Sequence, residues 1–149
     1  MKNIYTLLFI TLFSFVMKAD VSVSEKNALI KLYNATNGAG WTSKWDLKTP
    51  VSSWYGVGLL ADKVISVQLP NNNLVGVLPS EISDLIYLED FNLYRNSISG
   101  VIPSTIGQMK RLVSLNLSFN KLSGSLPSSI GDASSLKSIE LFLNGFSGN

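Results

Sequence analysis

Residues 112–131 read LVSLNLSFNKLSGSLPSSIG, and the pattern of this stretch returns every 24 residues along the chain. Asparagine, glycine and proline each recur at this step. The recurring positions are Asn72, Asn96, Asn120 and Asn144, then Gly76, Gly100, Gly124 and Gly148, then Pro79, Pro103 and Pro127. Self-similarity at a fixed period of about 20–50 residues indicates a repeat architecture in which each unit stacks on its neighbours.

Apolar residues recur in the same register and predict a short strand in each repeat. Val67 and Leu69 alternate with Ser66, Gln68 and Pro70 in the first copy, which is the period of a strand with one buried face. Such a strand is too short to bury its apolar face alone. Copies stacked side by side form a parallel sheet with one continuous core, so the repeats predict a solenoid.

The polar columns have structural interpretations. An asparagine amide both donates and accepts hydrogen bonds, so the asparagine column can satisfy backbone groups where the chain turns after each strand. The glycine column suits a positive φ or a close backbone approach. The proline column fixes φ and is predicted to begin the return segment of each coil.

The quoted stretch resembles the plant-type leucine-rich repeat, LxxLxLxxNxLxGxIPxxIG, over about residues 64–149. The resemblance implies an α/β repeat fold, a leucine-rich repeat solenoid. Its parallel β-sheet would lie on the concave face. Short helical or 3₁₀ segments and a second row of strands would form the return.

The segment before the repeats resembles the N-terminal cap of secreted and cell-surface leucine-rich repeat proteins. Residues 25–54 read EKNALIKLYNATNGAGWTSKWDLKTPVSSW and are followed by Tyr55-Gly56-Val57. Plant-type members usually carry a cysteine pair here, whereas this chain resembles the cysteine-free versions of bacterial and some protist surface proteins. From the residues themselves, Ser22-Val-Ser-Glu25 is a capping box that predicts a helix start. We expect Trp41, Trp45 and Trp54 to cover the core, with a carbohydrate-stacking platform as the alternative.

Composition limits the possible functions. The 149 residues contain no His and no Cys, which excludes imidazole or thiolate metal sites and histidine-dependent nucleophiles. Residues 1–19, MKNIYTLLFITLFSFVMKA, predict a secretory signal peptide, with a retained membrane anchor as the alternative. Removing Lys2 and Lys18 leaves 12 − 2 = 10 basic residues against 10 acidic ones. We therefore expect no nucleic-acid partner, no metal and no cofactor.

The outward positions of the strands are the ones that the repeat does not fix. Solenoids bind partners through this concave surface. Aromatic, Arg and apolar groups of the kind found at binding hot spots gather toward its C-terminal half. The predicted binding face comprises Gln68, Asp90, Asn92, Tyr94, Arg95, Asn116, Phe119, Glu140 and Phe142. Alternatively, Phe142 and Leu143 only contact further coils or a C-terminal cap.

Three regions are predicted: a signal peptide over residues 1–19, a cap over 20–62 and repeats over 63–149, three of them full and a fourth truncated. We expect a non-catalytic, secreted or cell-surface module that binds a protein or a carbohydrate. The alternative is the N-terminal ectodomain of a larger receptor, such as a receptor-like kinase, with a membrane connection only through a missing C-terminal part. An ice-binding surface is the third hypothesis, and the mixed outward residues disfavour it.

Overall fold

A computed structural model describes residues 20–148. The predicted signal peptide over residues 1–19 lies outside the described residues. The described residues begin with a helix, α1, and continue as nine short strands, with a 3₁₀ turn in the return segment of each complete repeat. The elements are α1 (Val23–Ala35), β1 (Val57–Leu60), β2 (Lys63–Gln68), β3 (Val75–Val77), β4 (Asp90–Asn92), β5 (Ser97–Gly100), β6 (Ser114–Asn116), β7 (Lys121–Gly124), β8 (Ser138–Glu140) and β9 (Gly145–Phe146).

The strands form two sheets that run along the length of the repeats. One sheet has the order β1-β2-β4-β6-β8, and the other has the order β3-β5-β7-β9. The repeat strands pair in parallel, and their register follows the 24-residue step, since Val67 pairs with Phe91, Phe91 with Leu115, and Leu115 with Ile139. The predicted leucine-rich repeat solenoid is therefore confirmed.

The return segment of each repeat begins at a proline. Pro79, Pro103 and Pro127 each precede a five-residue 3₁₀ helix, over Ser80–Asp84, Ser104–Gln108 and Ser128–Asp132. Ile82 and Ile106 on these turns are buried in the core, together with Leu85 and Met109, which follow the turns.

The asparagine column connects successive coils through backbone groups. The side-chain oxygen of Asn96 accepts hydrogen bonds from the backbone N–H groups of Asn72 and Leu74, each at 3.0 Å. Its amide nitrogen donates to the carbonyl oxygens of Leu69 and Leu93, each at 2.9 Å. Asn120 and Asn144 make three of these four bonds, those equivalent to the bonds with Leu74, Leu69 and Leu93, one and two coils further on. Each side chain thus ties its own turn to the preceding coil.

Helix α1 is fixed to the first repeat by Glu25. The Ser22 hydroxyl accepts a hydrogen bond from the Glu25 N–H at 3.2 Å and donates to its carboxylate at 2.7 Å. The second carboxylate oxygen of Glu25 accepts from the backbone N–H of Val64, at 2.9 Å, in the first repeat strand. At the other end of the helix, a Cβ at Gly76 would collide with the carbonyl oxygen of Ala35. The cap and the first coil therefore fit together through specific backbone contacts.

The three tryptophans form a buried cluster within the cap. Trp45 lies between Trp41 and Trp54, with ring centroids 4.9 and 4.8 Å apart. All three are at least 96% buried, and each indole N–H donates to a backbone carbonyl. Burial on this scale leaves no exposed indole face on which a sugar ring could stack.

Strand β1 pairs with β2 in an antiparallel hairpin that crosses the predicted boundary between residues 62 and 63.

Candidate functional site on the concave face

The concave face is formed by residues that alternate with the core residues along β2, β4, β6 and β8. Leu115 and Leu117 are fully buried in the core, whereas Ser114 and Asn116, which alternate with them, remain partly accessible on the other side of the sheet. The same alternation puts Gln68, Asp90, Asn92, Tyr94, Glu140 and Phe142 on the concave face.

The residue after each outward row adopts a left-handed backbone conformation. The four residues at this rim are Asn71, Arg95, Phe119 and Leu143, with φ between 53° and 57°. Three of them are not residue types that favour this region, and each such conformation costs about 1 kcal/mol or more. The fold itself therefore holds these side chains at the edge of the concave face. Among these four residues, only Asn71 is of a type that predicts a left-handed conformation from the sequence, because Asn adopts it more readily than Arg, Phe or Leu.

Three aromatic rings form a continuous strip at the C-terminal half of this face, and we call Tyr94, Phe119 and Phe142 the aromatic strip. The Phe119 ring lies 5.2 Å from the Tyr94 ring and 5.4 Å from the Phe142 ring, measured between centroids, with edge-to-face geometry in both pairs. Phe119 is 37% exposed and Phe142 is 53% exposed. The strip thus presents preorganised aromatic area to solvent, as binding hot spots do.

Asparagines on the concave face support the backbone beneath the strip. The Asn92 side-chain oxygen accepts from the Tyr94 N–H at 2.9 Å, and that of Asn116 accepts from the Ser118 N–H at 3.0 Å. The Asn116 amide also donates to the Glu140 carboxylate at 2.8 Å. Gln68 lies on β2, away from the aromatic strip, and its amide donates to the Ser66 hydroxyl at 3.4 Å. Asn92 and Asn116 therefore shape the site as well as line it.

Ser118 occupies an outward position of its repeat by the sequence alternation but is not among the predicted binding-face residues, and the structure buries it completely. Tyr94 and Phe142 occupy the same repeat position on the two adjacent coils, and Phe119 touches both rings. Phe119 follows Ser118 directly, and its ring lies between those of Tyr94 and Phe142, so the strip surrounds the Ser118 position. The sequence shows Ser118 as an outward residue, but its burial depends on side chains 24 residues away in each direction.

Arg95 lies beside a polar pocket at the N-terminal end of the rim. The pocket has a volume of about 320 Å³ and is lined by Thr42, Asn71, Asn73, Arg95, Asn96 and Ser97. Thr42 belongs to the cap segment, so the pocket lies where the cap meets the first two coils. The surface therefore changes from polar at the rim near the cap to aromatic along Tyr94, Phe119 and Phe142.

Two further observations concern the part of the chain that the structure describes. Residues 20–148 contain no group of three or more Asp and Glu side chains arranged to hold a metal ion. Within the same residues, the helix is too short and too polar to cross a bilayer.

With the repeat geometry in place, comparison with known proteins supplies the family. The family model described as "Leucine rich repeat" matches residues 63–122, which include the first two complete repeat steps. This chain is a leucine-rich repeat protein. Its repeats are of the plant type, as the relatives below also indicate.

The leucine-rich repeat protein is similar to Polygalacturonase inhibitor 1 of Arabidopsis thaliana, with 30% identity over 97 residues. The match covers 60% of this chain and 29% of the inhibitor, so the chain spans less than a third of that curated relative.

Two solved structures extend the comparison, one of them titled as a receptor. The structure titled PEPR1-AtPEP1 has a TM-score of 0.75 and 27% identity, and the match covers 84% of this chain and 18% of that one. The plant peptide hormone receptor RGFR1 in complex with RGF2 has a TM-score of 0.58 and 35% identity, covering 64% of this chain and 18% of the receptor. The similarity thus extends to a plant peptide hormone receptor whose structure was solved in complex with RGF2.

Proposed function

We propose that this leucine-rich repeat protein is a non-catalytic extracellular recognition module that binds a protein through its concave face. The observation that carries the proposal is the aromatic strip, in which three rings in mutual contact remain partly exposed. Aromatic residues dominate the energetics of protein interfaces because they bury a large area with few rotatable bonds. The burial of all three tryptophans favours a protein over a carbohydrate, since it leaves no tryptophan platform.

The relatives support the same proposal. One is named as an inhibitor of an enzyme, and another is a peptide hormone receptor in complex with a second molecule. Export would follow from the predicted signal peptide over residues 1–19, which places the cap and repeats outside the cell or on its surface. N-terminal sequencing of the secreted protein tests this part, and we expect the mature chain to begin at Asp20.

A second candidate is that the chain is the leading part of the ectodomain of a larger receptor. The match to PEPR1-AtPEP1 favours it, because 84% of this chain aligns with only 18% of the longer one. The reading frame after Asn149 tests this alternative. A span of about 20 apolar residues followed by kinase motifs would support a receptor-like kinase.

Photo-crosslinking tests the concave face directly. A benzoyl-phenylalanine at position 142 should crosslink to one exported protein of the source organism, and the same group at position 101 should not. Val101 is a suitable control because its side chain is 57% exposed but lies away from the concave face. It directly follows β5, which belongs to the four-stranded sheet.

The affinity of the crosslinked partner then decides the proposal. We expect Tyr94→Ala and Phe142→Ala each to weaken binding at least tenfold, as truncation of an aromatic hot spot does. Val101→Ala should leave the affinity unchanged. If all three variants bind as the unmodified protein does, the concave face is not the binding surface.

A further inference from the structure

The Ser118 hydroxyl is buried without a hydrogen-bond partner. Ser118 is 0% exposed, and its oxygen neither donates to nor accepts from another group among the described residues. An unpaired buried hydroxyl costs about 1–3 kcal/mol, and such groups in folded proteins call for a specific explanation. A packing role alone does not provide one, because alanine would occupy nearly the same volume without this cost.

The Ser118 position lies between two aromatic side chains, and we call the space between their rings the slot. Tyr94 and Phe142 flank Ser118 at the same repeat position on the neighbouring coils, and two strand spacings of about 4.8 Å separate those coils by roughly 10 Å. Phe119 now fills the space between them, in edge contact with both rings. The slot therefore already has the width and the wall chemistry to hold one aromatic ring.

The position of Phe119 at the rim allows its ring to leave this space. Its backbone lies at the rim, and its side chain is 37% exposed, so a change of rotamer would carry the ring toward solvent without disturbing the core. Once the ring has moved, the Ser118 hydroxyl becomes the polar floor of an otherwise apolar slot.

From this geometry we infer that the concave face holds a tyrosine-specific subsite. A tyrosine side chain of the partner replaces the Phe119 ring between Tyr94 and Phe142, and its phenol forms a hydrogen bond with the Ser118 hydroxyl. This inference rests on the proposed function, because it assigns one residue of the partner to the aromatic strip.

The charges on the same face specify what accompanies the tyrosine. Glu140 and Asp90 lie two and four residues before the strip on their strands, about 7 and 13 Å away at 3.3 Å per residue. Arg95, the basic residue of the predicted binding face, lies at the rim, and neither carboxylate forms an ion pair with it or with any other side chain of the described residues. A lysine or arginine close to the tyrosine in the partner would complement these acids, so the ligand is a basic, tyrosine-containing extended peptide segment.

Two short peptides test the subsite on the full mature chain: acetyl-GKGYG-amide and acetyl-GKGFG-amide. Their affinities are measured by titration of the ¹⁵N-labelled protein, following the backbone amide signals of residues 118 and 119. We expect the tyrosine peptide to bind about tenfold more tightly than the phenylalanine peptide, the usual effect of one buried hydrogen bond. Ser118→Ala should abolish this preference, and Ser114→Ala, on the same strand and the same face, should retain it.

The free protein provides a second readout. Ser118→Ala should raise the midpoint of urea unfolding, because it removes an unpaired buried hydroxyl, whereas Ser114→Ala should not. Equal affinities of the two peptides, binding of neither, or a preference that persists in Ser118→Ala would each overturn the subsite. In those cases a weakened affinity of Tyr94→Ala for the crosslinked partner would still uphold the proposed function. Conversely, a tyrosine preference that Ser118→Ala abolishes, with the partner's affinity unaffected by Tyr94→Ala, would uphold the subsite alone.

Discussion

Leu93 and Tyr94 are neighbours in the chain, but they lie on opposite sides of the five-stranded sheet. Leu93 is fully buried in the core, and its column carries Leu69, Leu117 and Leu141 in the other repeats. Tyr94 is partly accessible. The equivalent positions in the other repeats are Pro70, Ser118 and Phe142, which differ from it and from one another in size and polarity. The repeat therefore constrains the core side of each strand and leaves the concave side available for binding.

The largest difference between the two sides should appear in a pair of adjacent truncations. Leu93→Ala should lower the free energy of unfolding by about 4 kcal/mol, because it removes a fully buried side chain and leaves a cavity. Tyr94→Ala should lower it by less than about 1 kcal/mol, since mainly its ring contact with Phe119 is lost. Urea unfolding followed by circular dichroism measures both. Similar losses in the two variants would contradict the division between core side and concave side.

The asparagines provide a similar contrast with polar residues. Asn120→Ala should lower the free energy of unfolding by about 3 kcal/mol, because the buried carbonyls of Leu93 and Leu117 and the N–H of Ile98 lose their partner.

The matched control is Asn116→Ala on the concave face, in the same repeat. Its bonds to the Ser118 N–H and the Glu140 carboxylate lie partly in contact with water, so we expect a loss below about 1 kcal/mol. Equal effects of the two substitutions, again measured by urea unfolding, would show that the column at Asn120 has no special role in joining the coils.

The sequence predicted the structural features that recur with the 24-residue period. The core columns, the parallel register and the return turns at Pro79, Pro103 and Pro127 follow from residue types that recur at a fixed step. Each of these features depends on contacts between equivalent positions, so one repeat contains the information for all of them.

Features that depend on contacts between unlike positions were not predictable from the sequence. The capping box of Ser22 and Glu25 predicted a helix start, but the bond from the Val64 N–H to Glu25, across 39 residues, has no counterpart in the repeat. The strand β1, which precedes the first repeat, has no equivalent further along the chain. The aromatic surroundings of the buried Ser118 likewise consist of Tyr94, Phe119 and Phe142, at positions whose residue types the repeat does not fix.

The most direct test of the account substitutes the same residue type on the two sides of the sheet and measures both stability and binding. Phe91 is fully buried in the core, and Phe142 is 53% exposed on the concave face. We predict that Phe91→Ala lowers the free energy of unfolding by about 3–5 kcal/mol. Phe142→Ala should keep the unfolding midpoint and weaken binding of the crosslinked partner at least tenfold. A Phe142→Ala variant that binds with full affinity, or that unfolds as readily as Phe91→Ala, would contradict the account.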